Sequence, residues 1–245
     1  MLKIENTEVM GWEAAIRGMR NPMNSWEKSD SFIPCFQKTK CHECEVNQKC
    51  AYYFDDGEPY KKDKFIGSND LKLMKSLSKA GNDDGKFLRM INVTCDITAP
   101  LYWWKEFDTY KVGTVANSCS TMHKIQAKKL TLDDFSHEHM SEMVLYRMEE
   151  IIGDLEYWRD KFLNYDEYCK AVPEFKEVYS KKDCWWQMIQ LLPSSYNQKR
   201  TVQLNYQVLK SMYFARRNHK LDEWHTFCDW IETLPYFREV AIQDE

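Results

Sequence analysis

The sequence predicts a helix-dominated α+β domain with few strands, joined to a cysteine-rich insertion. Hydrophobic residues at 43% and aromatic residues at 14% argue against a disordered chain. Apolar residues recur at helical spacing in several segments, whereas one segment alternates loosely between apolar and polar residues. The 245 residues suffice for one substantial domain, or for one domain and an insertion. Because no internal repeat or low-complexity segment is evident, a single α+β domain is the simplest architecture.

Charge and apolar patterning argue against a nucleic-acid-binding, a membrane-spanning and a secreted protein. The formal net charge of -4 gives no basic surplus for a nucleic-acid partner, although it does not report how charge is distributed. The chain contains no run of about 18 apolar residues, so we expect no membrane span. Residues 1–6 lack the apolar core of a secretion signal, which makes a cytoplasmic location with reduced thiols the expectation.

The N-terminal part is predicted to hold one helix and an insertion. Val9, Trp12, Ile16 and Met19 follow helical spacing. The stretch 21–63 is polar and charged, and its periodicity is poor, as expected for an insertion or subdomain. We therefore divide the chain into residues 1–67, the helix and cysteine-rich insertion, and residues 68–245, the main domain.

Four cysteines are concentrated in the insertion, in a C-x5-C-x2-C-x5-C pattern formed by Cys35, Cys41, Cys44 and Cys50. Zinc favours four thiolate or imidazole ligands, and the pair Cys41 and Cys44 has the spacing of a zinc knuckle. Bound zinc would stabilise a stretch that has little apolar surface to bury. Four reduced thiols in a compact loop are the alternative, and an iron-sulfur cluster is a third.

The main domain is predicted to open with a helix over 68–81, where Ser68 to Asp70 offer cap residues and Gly81 a stop. A strand is predicted over 87–97, a buried helix over 101–107 and a loop of small residues over 114–122. Further helices are predicted over 136–153, 155–170, 185–192, 204–217 and 221–233.

The helix over 204–217 carries polar groups at both ends. Asn205, Leu209, Met212 and Arg216 are four, three and four residues apart, so they lie along adjoining faces of one helix. An amide and a guanidinium at the two ends of such a helix suit an anionic ligand. A solvated helix end that complements the helix dipole is the alternative for Arg216.

This segment resembles the C-terminal signature of flavin-dependent thymidylate synthases (the thymidylate synthase complementing protein family). In that signature a Leu-Pro pair precedes an Asn-x-Arg-x-Leu helix that ends in a second arginine. Here Leu192-Pro193 precedes Asn205 to Leu209, and Arg216 follows. Gln207 stands where the family has the middle arginine.

A second part of the resemblance begins at Pro100. In the family a similar proline opens a helix that carries a glutamine, followed by Arg-His-Arg and a Ser-x-Asn-Glu-x-x-Ser-x-Arg-Tyr run. The glutamine falls on Glu106, the Arg-His-Arg triplet on residues 109–111 and the next serine on Thr114. Residues 117–123 resemble the remainder of the run, offset by one residue. Over residues 68–235 the chain therefore resembles a divergent member of this family.

The resemblance implies a helix-rich α+β fold with a small antiparallel sheet. It also implies a homotetramer with sites between subunits. The implied reaction, in dTMP biosynthesis, is reductive methylation of deoxyuridine monophosphate (dUMP): reduced FAD supplies hydride and a methylene-folate supplies carbon. The implied flavin-holding residues are Lys111, Thr114, Asn205, Gln207 and Arg216. The implied substrate-binding residues are Glu106, Asn117 and Ser120. No side chain is assigned a catalytic role, because the cofactor carries the difficult chemistry.

Alternatives remain open at this stage. The chain is either such an enzyme or a catalytically degenerate scaffold of the same fold with a structural metal site. A zinc-bearing nucleic-acid module is a third hypothesis, disfavoured by the acidic balance. The tryptophan pairs Trp103-Trp104 and Trp185-Trp186 are interpreted as core or interface anchors rather than flavin-stacking groups. Lysines and arginines available to replace the missing family arginines are Lys105, Lys111, Lys199 and Arg200.

Overall fold

The computed structural model describes residues 1–31 and 66–243. The predicted zinc ligands Cys35, Cys41, Cys44 and Cys50 lie outside the described residues, and the metal site stays a prediction. The described chain forms two compact units. The first comprises residues 1–9 and 93–233, and the second comprises residues 10–31, 66–92 and 234–243. The predicted division at residue 68 also stays a prediction.

The first unit contains a small four-stranded antiparallel sheet, as expected. The strands are β1 (Lys3–Met10), β2 (Asn92–Pro100), β3 (Val115–Ser118) and β4 (Asn197–Asn205), in the order β1-β2-β4-β3. Along β2 every second side chain from Val93 to Ala99 is buried, so one face of this strand packs into the core. In β3 all four residues are exposed, and Val115 is paired with Gln203 of β4.

Three of these strands were not predicted: β3 lies within the predicted loop over 114–122, and β1 and β4 lie outside the predicted strand over 87–97. β1 and β4 are rich in charged and amide side chains, and the buried side chains of β4 are Gln198, Val202 and Leu204. The alternation of apolar and polar residues in these two strands is weak, so the strands cannot be recognised from the sequence without knowing which face of the sheet is covered. The predicted strand over 87–97 was also partly wrong, since residues 84–89 form a 3-10 helix before β2 begins.

The second unit contains α1 (Trp12–Arg20) and α2 (Ser68–Ala80). The predicted apolar spacing is confirmed for Trp12, Ile16 and Met19, which are buried on α1, but it was wrong for Val9, which lies in β1. Arg20 and Asp70 form a buried ion pair with Nε and Oδ1 2.6 Å apart, which ties the two helices together.

The remaining helices are α3 (Leu101–Phe107), α4 (Thr121–Lys124), α5 (Glu142–Leu163), α6 (Tyr165–Ala171), α7 (Pro173–Val178), α8 (Lys181–Leu191), α9 (Tyr206–Arg216) and α10 (Asp222–Glu232). The helices predicted over 136–153 and 155–170 are instead one long helix, α5, followed by α6. A single exposed glycine, Gly153, does not end α5, because buried side chains on both sides of it, Met148 and Leu155, belong to one apolar cluster that includes Met188 of α8. The predicted loop over 114–122 holds β3 and the start of α4.

An aromatic cluster packs α3 against α10. Trp103 is fully buried, and its ring centroid lies 4.8 Å from that of Trp224 and 5.6 Å from that of Phe227. Trp104 is buried beside them, and its Nε1 donates to the carbonyl oxygen of Gln198 in β4. Trp103 and Trp104 are therefore core anchors, as predicted from their pairing.

Candidate functional site

The two segments predicted to hold a flavin lie side by side in the first unit. Tyr110 contacts Arg216 at the C-terminal end of α9, since the Arg216 Nε donates to the Tyr110 Oη over 2.8 Å. Three residues further on, Gly113 lies against the N-terminal end of α9. The chain from α3 to β3 therefore runs along α9 from one end to the other, which brings Lys111 and Thr114 near the helix that carries Asn205 and Arg216.

Asn205 caps α9. Its backbone is extended, with φ -132° and ψ 166°, and its Oδ1 accepts the backbone N–H of Val208 over 3.0 Å. This is the usual role of an asparagine at the N-cap. Gly113 has φ +79°, and a Cβ there would lie 3.1 Å from the Asn205 Nδ2 and 3.0 Å from the Val208 Cγ2. A glycine is therefore needed for the close approach of this turn to α9.

The guanidinium of Arg216 is neutralised within the chain. Its Nη1 lies 2.8 Å from the Glu106 Oε2, and its carbon lies 4.8 Å from the centre of the Trp224 ring. Only 18% of the side chain is exposed. Arg216 is thus held by a carboxylate, a phenol and an aromatic face.

Glu106 receives more than one donor on the same oxygen. Besides Arg216, the Trp224 Nε1 donates to Oε2 over 2.9 Å, and the His219 Nε2 lies 3.3 Å from it. Glu106 was predicted to bind substrate. The structure places it as the counterion of Arg216, and its substrate role stays a prediction.

The other predicted flavin-holding residues have more open surroundings. Lys111 is exposed and forms no ion pair with another residue in the described ranges. Thr114 is half-buried and donates its Oγ1 to the carbonyl oxygen of Tyr110. Gln207 is half-buried in the first turn of α9.

The donors predicted to hold a flavin differ between the two ends of α9. Asn205 at its N-terminal end supplies an amide, the adjacent turn at Gly113 is followed by the Thr114 hydroxyl, and Lys111, between Tyr110 and Gly113 in the chain, supplies a cation. At its C-terminal end the charge of Arg216 is already matched by Glu106, so the guanidinium is not available to a phosphate while that ion pair is formed.

A pocket of about 420 Å³ lies elsewhere in the first unit, between the segment from β3 to α4 and the strand β4. Ser120, a predicted substrate-binding residue, lines it and caps α4 by accepting the backbone N–H of His123 over 3.2 Å. Of the three predicted substrate-binding residues, neither Glu106 nor Asn117 lines this pocket. Asn117 is exposed on β3, paired with Thr201.

Gln198 holds one wall of the pocket in place. Its Nε2 donates to the carbonyl oxygen of Cys119 over 3.0 Å and to the Thr121 Oγ1 over 3.1 Å. The backbone N–H of Cys119 donates to the carbonyl oxygen of Lys199 over 3.0 Å. Cys119 is thereby fixed at both its backbone groups, and its side chain is exposed at the pocket.

Three lysines and two aspartates line the pocket. Lys128 pairs with Asp134, and Lys199 pairs over 3.1 Å with Asp96 of β2. Lys124 is exposed and has no carboxylate partner within residues 1–31 and 66–243. Lys124 is therefore the lysine of this pocket best able to meet an added anion.

Sequence reasoning missed most of the pocket. Lys199 was singled out as a compensating cation, whereas Cys119, Lys124 and Gln198 were not assigned to a site. One available signal was the N-cap at Ser120, because Ser120-Thr121-Met122-His123 begins a short helix. Gln198 could be recognised only from the pairing of β4, because its role depends on residues nearly 80 positions away.

The described residues bring together no group of three or more histidine, cysteine or acidic side chains able to hold a metal ion. Within the same residues, no helix combines the length and apolar character needed to cross a bilayer.

Comparison with known proteins finds similarity in structure but not in sequence. No family model and no curated protein matches the chain. Thymidylate synthase X from Helicobacter pylori, solved with FAD and dUMP, superposes with a TM-score of 0.58 at 13% identity, covering 98% of this chain and 97% of that one. A second structure of the H. pylori enzyme, also with FAD and dUMP, gives a TM-score of 0.56 at 13% identity, with the same coverage.

The UMP/dUMP methylase PolB from Streptomyces cacaoi, bound with 5-Br dUMP, gives a TM-score of 0.53 at 10% identity. The match covers 99% of this chain and 94% of that one. Each of these superpositions extends over almost the entire length of both proteins. The chain therefore has the fold of the flavin-dependent thymidylate synthases.

Proposed function

We propose that this protein is a flavin-dependent enzyme that methylates a uracil nucleotide of the dUMP type. The observation that carries the proposal is the pocket at Ser120, in a chain whose fold matches thymidylate synthase X over 98% of its length. Ser120 belongs to the segment that the sequence resemblance assigns to substrate. The pocket also offers positive charge and amide groups, which suit a nucleotide phosphate and a base edge.

The roles of the residues follow from their chemistry. Lys124 and the Ser120 hydroxyl would bind the nucleotide phosphate at the pocket, and the Gln198 side chain would keep Cys119 and Thr121 in position around it. Lys111, Thr114, Asn205 and Gln207 would hold FAD. The cofactor, when bound, supplies the hydride, and a methylene-folate supplies the carbon. The protein's own contribution is to bind, orient and exclude water.

The Ser120 pocket and the flavin-holding residues are separate groups within one chain. We propose that they meet across subunits of a homotetramer. Ligands that bind between identical chains are accommodated readily by closed symmetric assemblies.

Flavin content and turnover test the proposed reaction. The protein is purified without added cofactor, and its absorbance is recorded before and after FAD is added. It is then incubated with reduced FAD, a methylene-folate and dUMP, and formation of dTMP is measured by chromatography. We expect flavin binding and dTMP. Protein that stays colourless, does not respond to FAD and forms no product would instead be a scaffold of this fold.

Thiol protection tests the pocket independently of turnover. Cys119 is exposed at the pocket, whereas Cys95 and Cys228 are buried, and burial raises their thiol pKa to about 12 and about 11. A maleimide should therefore modify Cys119 in the folded protein and spare Cys95 and Cys228. We expect dUMP to slow modification of Cys119, identified by peptide mass spectrometry, and deoxyuridine to slow it much less.

The matched variants are Lys124→Ala and Lys129→Ala. Both lysines are exposed, but Lys129 does not line the pocket. Losing one charge-assisted phosphate contact costs about 1.5–3 kcal/mol, so Lys124→Ala should weaken dUMP protection by about 10-fold to 100-fold. Equal protection in both variants would remove Lys124 from the site.

A further inference from the structure

The C-terminal end of α9 holds a cation whose charge the chain itself neutralises. The Arg216 Nη1 and the Glu106 Oε2 are 2.8 Å apart, and both side chains remain partly exposed, at 18% and 34%. Such a pair is neither sealed in the core nor freely solvated. An anion from solvent can approach it and compete with the carboxylate.

Two contacts besides the one with Glu106 position Arg216. Its Nε donates to the Tyr110 Oη, and its guanidinium lies over the Trp224 ring. The Trp224 Nε1 also donates to Glu106, but the Trp224 ring is fully buried in the aromatic cluster between α3 and α10, so both contacts of Arg216 would remain if the carboxylate moved away. The guanidinium would then present its uncompensated charge to solvent. Glu106 is the more exposed partner, so its carboxylate has access to water, which can replace its contacts with Trp224 and Arg216.

We infer that Glu106 is an internal counter-anion that occupies the Arg216 guanidinium, so that a phosphate-bearing ligand reaches the guanidinium only by displacing the carboxylate. The choice of FAD as one such ligand rests on the proposed function, whereas the competition itself does not. When the ion pair excludes the ligand, the apparent affinity equals the intrinsic affinity multiplied by the fraction of molecules in which the ion pair is broken. Glu106 would therefore set how tightly this end of α9 binds a phosphate group.

The test compares wild-type protein with Glu106→Gln. Glutamine has nearly the same shape and keeps an oxygen that accepts from Trp224 and Arg216, but it carries no charge. Dissociation constants are measured for inorganic pyrophosphate by calorimetry and for FAD by quenching of flavin fluorescence. We expect both ligands to bind about tenfold more tightly to Glu106→Gln.

Two further variants identify the source of any gain. Asp108→Asn removes the carboxylate of another partly exposed ion pair, in which the Asp108 Oδ1 lies 2.8 Å from the Arg200 Nη1. Because Asp108 does not contact Arg216 in the described structure, this variant should bind pyrophosphate as the wild type does. Adding Arg216→Gln to Glu106→Gln should abolish the gain. A gain that persists without Arg216 would overturn the inference.

The remaining outcomes separate this inference from the proposed function. Folded Glu106→Gln with unchanged or weaker pyrophosphate affinity would show that the ion pair is purely structural, even if the wild type binds FAD. A pyrophosphate gain in protein that never binds FAD would support the inference and count against the flavin enzyme. If Glu106→Gln does not fold, Glu106→Asp draws the carboxylate back by one methylene, and a smaller gain in pyrophosphate affinity is expected. No gain in that variant would contradict the inference.

Discussion

Gly113 shows how one residue sets the geometry of a candidate site. Its φ of +79° lies in the left-handed region, and its missing side chain lets the turn before β3 approach the N-cap of α9. Asn205, which the sequence singled out as a ligand group, is at the same time the cap of that helix. The same amide side chain can serve both purposes, because the cap uses Oδ1 and leaves the Nδ2 protons for other acceptors.

Gly113→Ala should destabilise the protein. A Cβ would force a left-handed alanine and press on Val208 and Asn205, at an expected cost of about 1–2 kcal/mol. The free energy of unfolding is measured with urea. The matched control is Gly153→Ala in α5, where a Cβ meets nothing within 4 Å and should stabilise by about 0.5–1 kcal/mol. Equal effects in the two variants would contradict this account of Gly113.

At the scale of elements, the second unit depends on a buried carboxylate at the start of α2. Asp70 accepts from the Arg20 Nε, the Ser29 Oγ and the backbone N–H of Ser31. Burial alone raises the pKa of Asp70, but hydrogen bonds from Ser31, Ser29 and Arg20 outweigh it and hold the pKa below its usual value. The carboxylate therefore joins α1, α2 and the segment that follows α1.

Asp70→Asn should lower the free energy of unfolding by about 3–5 kcal/mol, because Arg20 would be left buried without its counterion and every group facing Asp70 is a donor. Asp83→Asn is the control, since Asp83 is exposed and forms no side-chain cap. Urea unfolding of the three proteins at neutral pH measures the difference. A similar loss in both variants would contradict the assigned role.

Because its pKa is lowered, Asp70 should make the free energy of unfolding depend on pH. A folded-state pKa below the unfolded value, about 3.9 for aspartate, contributes stability above that value and loses it as the pH falls through the folded pKa. The wild type should therefore lose stability more steeply than Asp70→Asn below about pH 4. Urea unfolding between neutral and acidic pH measures both slopes, and parallel curves would contradict the prediction.

At the scale of the whole molecule, shared fold and divergent sequence have to be reconciled. At 10–13% identity the chain superposes on these structural neighbours over 94–97% of their length. The pattern of buried positions, rather than the identity of each residue, preserves such a fold, because different apolar side chains can fill a core of the same shape. Ligand groups tolerate fewer replacements, so under the proposed function Glu106 and Gln207, which the sequence resemblance aligns with a glutamine and an arginine, are the replacements expected to affect activity most.

Assembly is the first prediction at this scale. The proposed sites lie between the chains of a homotetramer, so light scattering after size exclusion should give about four times the mass of one chain. The measurement is repeated across a tenfold range of protein concentration. A monomer at every concentration would count against shared sites and hence against the proposed enzyme.

Metal content is the second prediction at the scale of the whole molecule. If Cys35, Cys41, Cys44 and Cys50 ligate a structural ion, protein purified without chelator should contain about one zinc per chain. Changing Cys41 and Cys44 together to serine should remove it, whereas Cys119→Ser should not. Absence of metal from the wild type would favour four reduced thiols, and iron with sulfide would indicate a cluster.

The sequence by itself determined the helix-rich α+β class, the approximate positions of α1, α2, α3, α9 and α10, and the resemblance to the flavin-dependent thymidylate synthase fold. It could do so because apolar periodicity and the spacing of Pro193, Asn205 and Arg216 are local properties of the chain. Tertiary structure alone decided that β4 pairs with β3, that Gln198 braces Cys119 and that Glu106 neutralises Arg216. Each of these joins residues about 80 to 110 positions apart. Periodicity reports which side of an element is buried, but not which charged or amide group of another element meets it there.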